Sequence, residues 1–203
     1  MVEISNIKTY DFMESVIASR NAMRLTPPEY TEEEFEASLS RATKLAKAQQ
    51  GSGHDHWLCG IRVAFDIKYP AYFSPELQRY HFNDIVCSSS KMHRLVNMNM
   101  DCVFNKYVTE DSIAQMKNLI QICNRDKSYE NFMRVLSNCP LGIELFMRCT
   151  TNYLALKTIY HQRKSHRLVE DWQKGFIDGL IKQLPYYKEL ITGEYVCIHN
   201  DRP

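Results

Sequence analysis

The stretch "GIRVAFDIKYP", residues 60–70, constrains the fold more than any other segment of the chain. Ile61, Val63, Phe65 and Ile67 alternate with Arg62, Ala64, Asp66 and Lys68. That period of two predicts a strand with one face on a core. Pro70 lacks an amide proton to extend a ladder, so the strand is expected to stop there. Helical patterns flank this strand on both sides, so the chain must combine a sheet with helices.

Upstream, Val2 and Ile4 precede polar residues and predict a short strand, and "FMESVIASRNAM" reads as a helix. Thr31 then stands as the N-cap of a helix, with Glu34 at the capping-box position and Phe35, Leu39, Ala42 and Ala46 on one face; Gly51 is expected to end it. Beyond Pro70, Ser74-Pro75 reads as the N-cap and first turn of a short helix over "ELQRYHF". The second half reads as helical throughout: "EDSIAQMKNLIQIC", "SYENFMRVLSNC", a long segment from about Gly142 to Gln162, and "RLVEDWQKGFIDGLIKQL" with Leu168, Trp172, Phe176 and Leu180 four apart. With no repeat or linker-like tract, residues 1–203 read as a single domain, α+β or α/β with a small sheet.

Charge sets limits on partners. The 25 basic and 24 acidic side chains leave a net charge of +1, so no global field draws the chain to nucleic acid or an anionic membrane. No apolar run approaches the length of a membrane helix, and the start has no signal-peptide pattern, which predicts a cytoplasmic protein. Seven scattered cysteines without a C-x-x-C pair argue against a disulfide framework and against zinc, and are expected to be reduced and mostly buried.

Three clusters carry chemical potential. "RYHFNDIVCSSSKMHR", residues 79–94, combines Ser88, Ser89 and Ser90 with Arg79, Lys91 and Arg94, a set suited to a phosphate monoester, although solvated serine turns with nearby lysines are common. "GSGHDHWLCG" places His54, Asp55 and His56 in a glycine-flanked loop; without further ligands of suitable spacing, no metal site is expected. "NYLALKTIYHQRKSHR" sets Asn152 and Arg163 on roughly one helix face. There is no P-loop, no G-x-S-x-G elbow, no G-x-G-x-x-G fingerprint and no H-E-x-x-H. The residues alone imply a phosphate-binding α/β protein.

The order and spacing of these clusters resemble the flavin-dependent thymidylate synthases. That family carries a G-H-x-S/T turn, a strand ending in proline, the run Q-x-x-R-H-R-x-x-S-x-N-E-x-S-x-R-Y, and later N-A-R-S-L followed by an arginine. Here stand "GHDH" at Gly53, "VAFDIKYP", "ELQRYHFNDIVCSSSKM" from Glu76 to Met92, Pro140, "NYLAL" at Asn152, and Arg163; "ASRNAM" near Ala18 resembles the early A-A-R-V-S segment. The centre of the signature has changed. Glu76 replaces the glutamine, Tyr80 and His81 replace His-Arg, Asp84 the first serine, Cys87 the glutamate and Lys91 the arginine, while Arg79 and Ser89 are kept.

The resemblance implies a mixed α+β fold, a small, mostly antiparallel sheet with long helices, and roles for particular residues. Ser89 and Lys91, with Ser88, Ser90 and Glu76 beside them and Arg134 assisting, would hold a pyrimidine monophosphate, and Arg163 would contact the uracil carbonyls. Ser89 and Arg163 would then be the residues on which catalysis turns. FAD would lie against His54, His56, Arg79, Tyr80, His81, Asn152 and Arg167, with methylenetetrahydrofolate and NADPH as co-substrates and a homotetramer as the assembly. The implied reaction is one-carbon transfer to C5 of dUMP or a related nucleotide. The alternative is a catalytically silent nucleotide-binding protein that keeps the fold. His81 in place of arginine exchanges a permanent five-donor fork for a partly protonated ring, and Lys91 loses bidentate geometry.

Overall fold

The structure is a computed structural model and describes residues 1–49 and 51–193. Four strands form one antiparallel sheet in the order β1-β2-β4-β3: β1 (Glu3–Tyr10), β2 (Arg62–Pro70), β3 (Asp84–Ser88) and β4 (Glu144–Asn152). β2 is the strand expected from its alternation. Val63, Phe65 and Ile67 are fully buried, and Val63 pairs with Thr151, Phe65 with Cys149, Ile67 with Met147.

β4 corrects the sequence reading. Residues 144–152 do not continue a long helix. Leu145, Met147, Cys149 and Thr151 face the core while Phe146 stays exposed, the signature of a strand. Helix α7 (Tyr153–Arg163) begins directly afterwards, because Asn152 turns out of the ladder and its Oδ1 accepts the Ala155 amide at 2.8 Å. β3 was also hidden: its five residues are all exposed, at the sheet edge.

The helical elements match expectation more closely. α1 (Phe12–Ala18) is shorter than read, giving way to a 3₁₀ turn at Asn21–Met23. α2 (Glu32–Ala46) is capped by Thr31, which accepts the Glu34 amide, and stops before Gly51. The Glu34 carboxylate does not close the box; it binds Arg20 and Arg24 instead. α3 (Ser74–Leu77) and α4 (Lys91–Arg94) are single turns, Ser74 being the first helical residue rather than the cap, and α4 being capped by Ser90. α5 (Glu110–Arg125) and α6 (Tyr129–Ser137) start at caps Thr109 and Ser128. Val169–Ile177 is a π-helix, followed by α8 (Tyr187–Leu190).

The π-helix closes the core. Trp172, Phe176 and Leu180 are fully buried, and Phe176 meets Phe65 of β2 edge-on at 6.0 Å between ring centroids. A Cβ on Gly175 would sit 2.6 Å from Val2, so only glycine lets the helix approach the start of β1 this closely. Asp171 fixes that contact by accepting the Val2 amide at 3.1 Å and the Tyr72 hydroxyl at 2.9 Å.

Among the described residues, no helix is long and apolar enough to cross a membrane, and no three His, Cys, Asp or Glu side chains gather to hold a metal. The six described cysteines are free thiols, but only Cys123 and Cys149 are buried; Cys87 and Cys102 are exposed, and Cys197 lies outside the described residues. Burial pushes the Cys149 thiol up to about 12, which keeps it protonated at neutral pH.

Candidate functional site

A cavity of about 660 Å³ opens between three segments: the loop Gly51–His56, the stretch Arg79–Phe82 after α3, and α7. Leu154, Ala155 and Thr158 of α7 form one wall, with Gln162 and Arg163 at its C-terminal end. Phe82 adopts φ 61°, a left-handed conformation costly for an aromatic residue, and its ring is exposed at the rim. The lining carries three permanent cations, Arg79, Lys157 and Arg163, against one carboxylate, Asp55. The net field favours an anion.

Arg163 is held by three neighbours. Its Nε donates to the Tyr80 hydroxyl at 2.7 Å, its Nη1 lies 3.3 Å from Glu76 Oε2, and its guanidinium stacks 4.7 Å from the Trp172 ring and 5.5 Å from that of Tyr80. Glu76 also accepts Trp172 Nε1–H at 2.7 Å, with His166 Nε2 at 3.6 Å. A planar cation bonded to a hydroxyl and a carboxylate and lying over an indole ring is fixed before any ligand arrives. Arg79 is different. It is exposed at the cavity and has no ion-pair partner among the described residues.

Several expected site residues therefore meet: His56, Arg79, Tyr80, His81 and Arg163 line the cavity, and Glu76 touches it through Arg163. Asn152 is buried and serves as the α7 cap, two residues before Leu154 in the lining. His54 and Arg167 are exposed outside the lining. Ser88, Ser89, Ser90 and Lys91 do not line this cavity in the single chain. Ser89 extends the β3–β4 ladder instead, its amide donating to the Phe146 carbonyl at 2.8 Å and its Oγ accepting the Phe146 amide at 3.0 Å. Ser90 Oγ lies 2.9 Å from His93 Nδ1. Arg134 is exposed and bonded to Glu130 within α6.

Two features escaped the sequence reading. Lys157 and Asp55 form a buried ion pair in the cavity wall, Nζ to Oδ2 2.7 Å, with the two side chains only 2% and 7% exposed. Their signal in the sequence was a lysine amid the apolar positions of α7. The other is Asn83, which is 91% buried, follows Phe82, and has no partner for either Nδ2 or Oδ1; Thr151 Oγ1 is likewise unpaired. An unpaired buried amide costs about 1–3 kcal/mol, so a donor and acceptor left open side by side call for a ligand or water.

No protein-family model and no curated protein sequence matches the chain. Solved structures do. A flavin-dependent thymidylate synthase ThyX from Helicobacter pylori, complexed with FAD and dUMP, superposes with a TM-score of 0.68 over 94% of this chain and 97% of that one, at 15% identity. The fold is that of the flavin-dependent thymidylate synthases. A second Helicobacter pylori ThyX structure with FAD and dUMP gives a TM-score of 0.67 at 14% identity, with the same coverage of both chains. The UMP/dUMP methylase PolB from Streptomyces cacaoi, bound with 5-Br dUMP, gives 0.51 over 77% of this chain and 75% of that one, at 13% identity. At such identities the thymidylate synthase-like fold is shared while the side chains at the site are free to differ.

Proposed function

We propose that this chain is a divergent flavin-dependent enzyme that transfers one carbon to C5 of dUMP or a related pyrimidine mononucleotide. The observation that carries this reading is the coincidence of a whole-chain ThyX-like fold with a net-positive cavity built from the same segments that hold the family-like residues. The cavity volume is within the range of about 300–1,000 Å³ usual for cofactor and substrate pockets. Its residues fit the group the fold implies. Arg79 offers an unengaged guanidinium to a phosphate, and Tyr80 and Phe82 offer faces to a planar ring.

When bound, a reduced flavin supplies hydride, and NADPH and methylenetetrahydrofolate supply the electrons and the carbon. The chain contributes position and field. In this reading Arg79, His81 and His56 hold the cofactor, with His54, Asn152 and Arg167 at its periphery. Arg163, immobilised on Trp172 and Glu76, presents its remaining donor edge to the pyrimidine carbonyls, where charge gathers as C5 becomes nucleophilic. Ser88, Ser89, Ser90 and Lys91, with Arg134, take the nucleotide phosphate in a site completed by a second copy, in a homotetramer acting in the cytoplasm.

The test is direct. The purified protein is expected to carry or take up FAD with a yellow absorbance spectrum, and to release tritium from 5-tritiated dUMP given NADPH and methylenetetrahydrofolate. A protein that binds dUMP but neither takes up flavin nor releases tritium would instead be the silent nucleotide-binding form. One observation favours that second reading: His81 stands where the family places arginine, leaving Arg79 as the lining's unengaged permanent cation.

A further inference from the structure

We propose that Lys157 is a positioning residue, a latch that pins the loop Gly51–His56 against α7 and thereby forms one wall of the cavity. The idea rests on the functional reading above for its ligands, but not for its geometry. Of residues 51–56, only Asp55 is buried; Gly51, Ser52, Gly53, His54 and His56 are exposed. The loop is thus attached through one side chain, and that side chain is the carboxylate bonded to Lys157 at 2.7 Å. Lys157 Nζ also donates to the carbonyl of Ala46, the last residue of α2. One ammonium therefore joins the end of α2, the loop and α7.

The glycines show that this loop needs conformation rather than packing. Gly51 and Gly53 take φ 86° and 78°, and nothing lies within 4 Å of where a Cβ would stand on either. Such a loop has little burial to order it, so its rigidity depends on its anchor. Asp55 immediately precedes His56 in the cavity lining, and fixing one fixes the direction of the other.

Stability does not account for the pair. A buried ion pair is generally replaceable by apolar residues of similar volume at little or no cost, whereas removing one partner strands a charge. Lys157 and Asp55 are exposed to the cavity wall only at their edges, so their worth lies in holding the loop where a ligand meets it. This separates a positioning role from a structural one: the apolar pair should preserve the fold and lose the wall.

The variant Asp55→Leu/Lys157→Met is expected to unfold cooperatively near the wild-type midpoint. Without ligand, the amides of residues 52–56 should exchange about tenfold faster than in wild type, with those of β2 and β4 unchanged. The dissociation constants for FAD and for dUMP, by calorimetry, should rise about tenfold. Should the double variant fold poorly, Asp55→Asn keeps the shape, removes the charge and is expected to shift both readouts in the same direction. Loop exchange equal to wild type overturns the latch, and so does accelerated exchange with unchanged affinities. If wild type binds neither ligand, the proposed function fails, while the exchange rates still decide the latch.

Discussion

The cavity beside α7 and the serine-lysine end of β3 contain the same kinds of polar groups, yet in one they line an enclosed space and in the other they lie at the sheet edge. In the cavity, Arg163 is clamped by Tyr80, Glu76 and Trp172, and Lys157 by Asp55, before a ligand is present. At the sheet edge, Ser89 is spent on the backbone of Phe146, and the side chains of β3 point to solvent. Preorganised charge inside a cavity can act on a ligand at once. Ser88 is exposed and Ser89, Ser90 and Lys91 are only half-buried, so water reaches this set more readily. Under the proposed function, the first region would take the cofactor and the second the nucleotide phosphate.

The largest expected effect that sharpens this contrast comes from Lys157→Met alone. It strands the buried Asp55 carboxylate and should lower stability by about 3–5 kcal/mol, measured by urea unfolding. Arg163→Ala comes next: loss of a charge-assisted contact predicts a weakening of about 2 kcal/mol, roughly thirtyfold, in dUMP affinity by calorimetry. Ser89→Ala removes one edge hydrogen bond and should cost about 1 kcal/mol of stability. It should leave FAD binding unchanged; weaker FAD binding would merge the two regions and break the comparison.

Acid should loosen the start of β4, away from both regions. Burial pushes the Glu144 carboxyl up, but hydrogen bonds from Lys68 and the N-terminal ammonium outweigh it and hold the group below its ordinary value. Because the folded value is depressed, its stabilisation is present above the ordinary carboxylate range and is lost as pH falls through the folded value. Melting temperature recorded from pH 7 to pH 3 should therefore fall, and Glu144→Gln should flatten part of that fall. It is the smallest of these effects.

How much of this was legible in the sequence depends on burial. β2 declared itself because one face is core and the other is not, so its residues alternate. β4 alternates too, at Leu145, Met147, Cys149 and Thr151, but it runs into α7 without a glycine or proline, and only the Asn152 cap marks the join. β3 could not show itself, since an exposed five-residue edge strand has no buried face to pattern. Arg79, Tyr80, His81 and Arg163, which the resemblance singles out, line one cavity. The Asp55–Lys157 pair was not legible, because 102 residues separate partners that only the fold brings together.

The central claim, that the cavity between Gly51–His56, Arg79–Phe82 and α7 holds a flavin, is tested most directly by titrating FAD into wild-type protein and Arg79→Ala. Saturable binding by wild type, weakened about tenfold or more in the variant, is the predicted result. No saturable binding by wild type, or equal affinity in both, would contradict it.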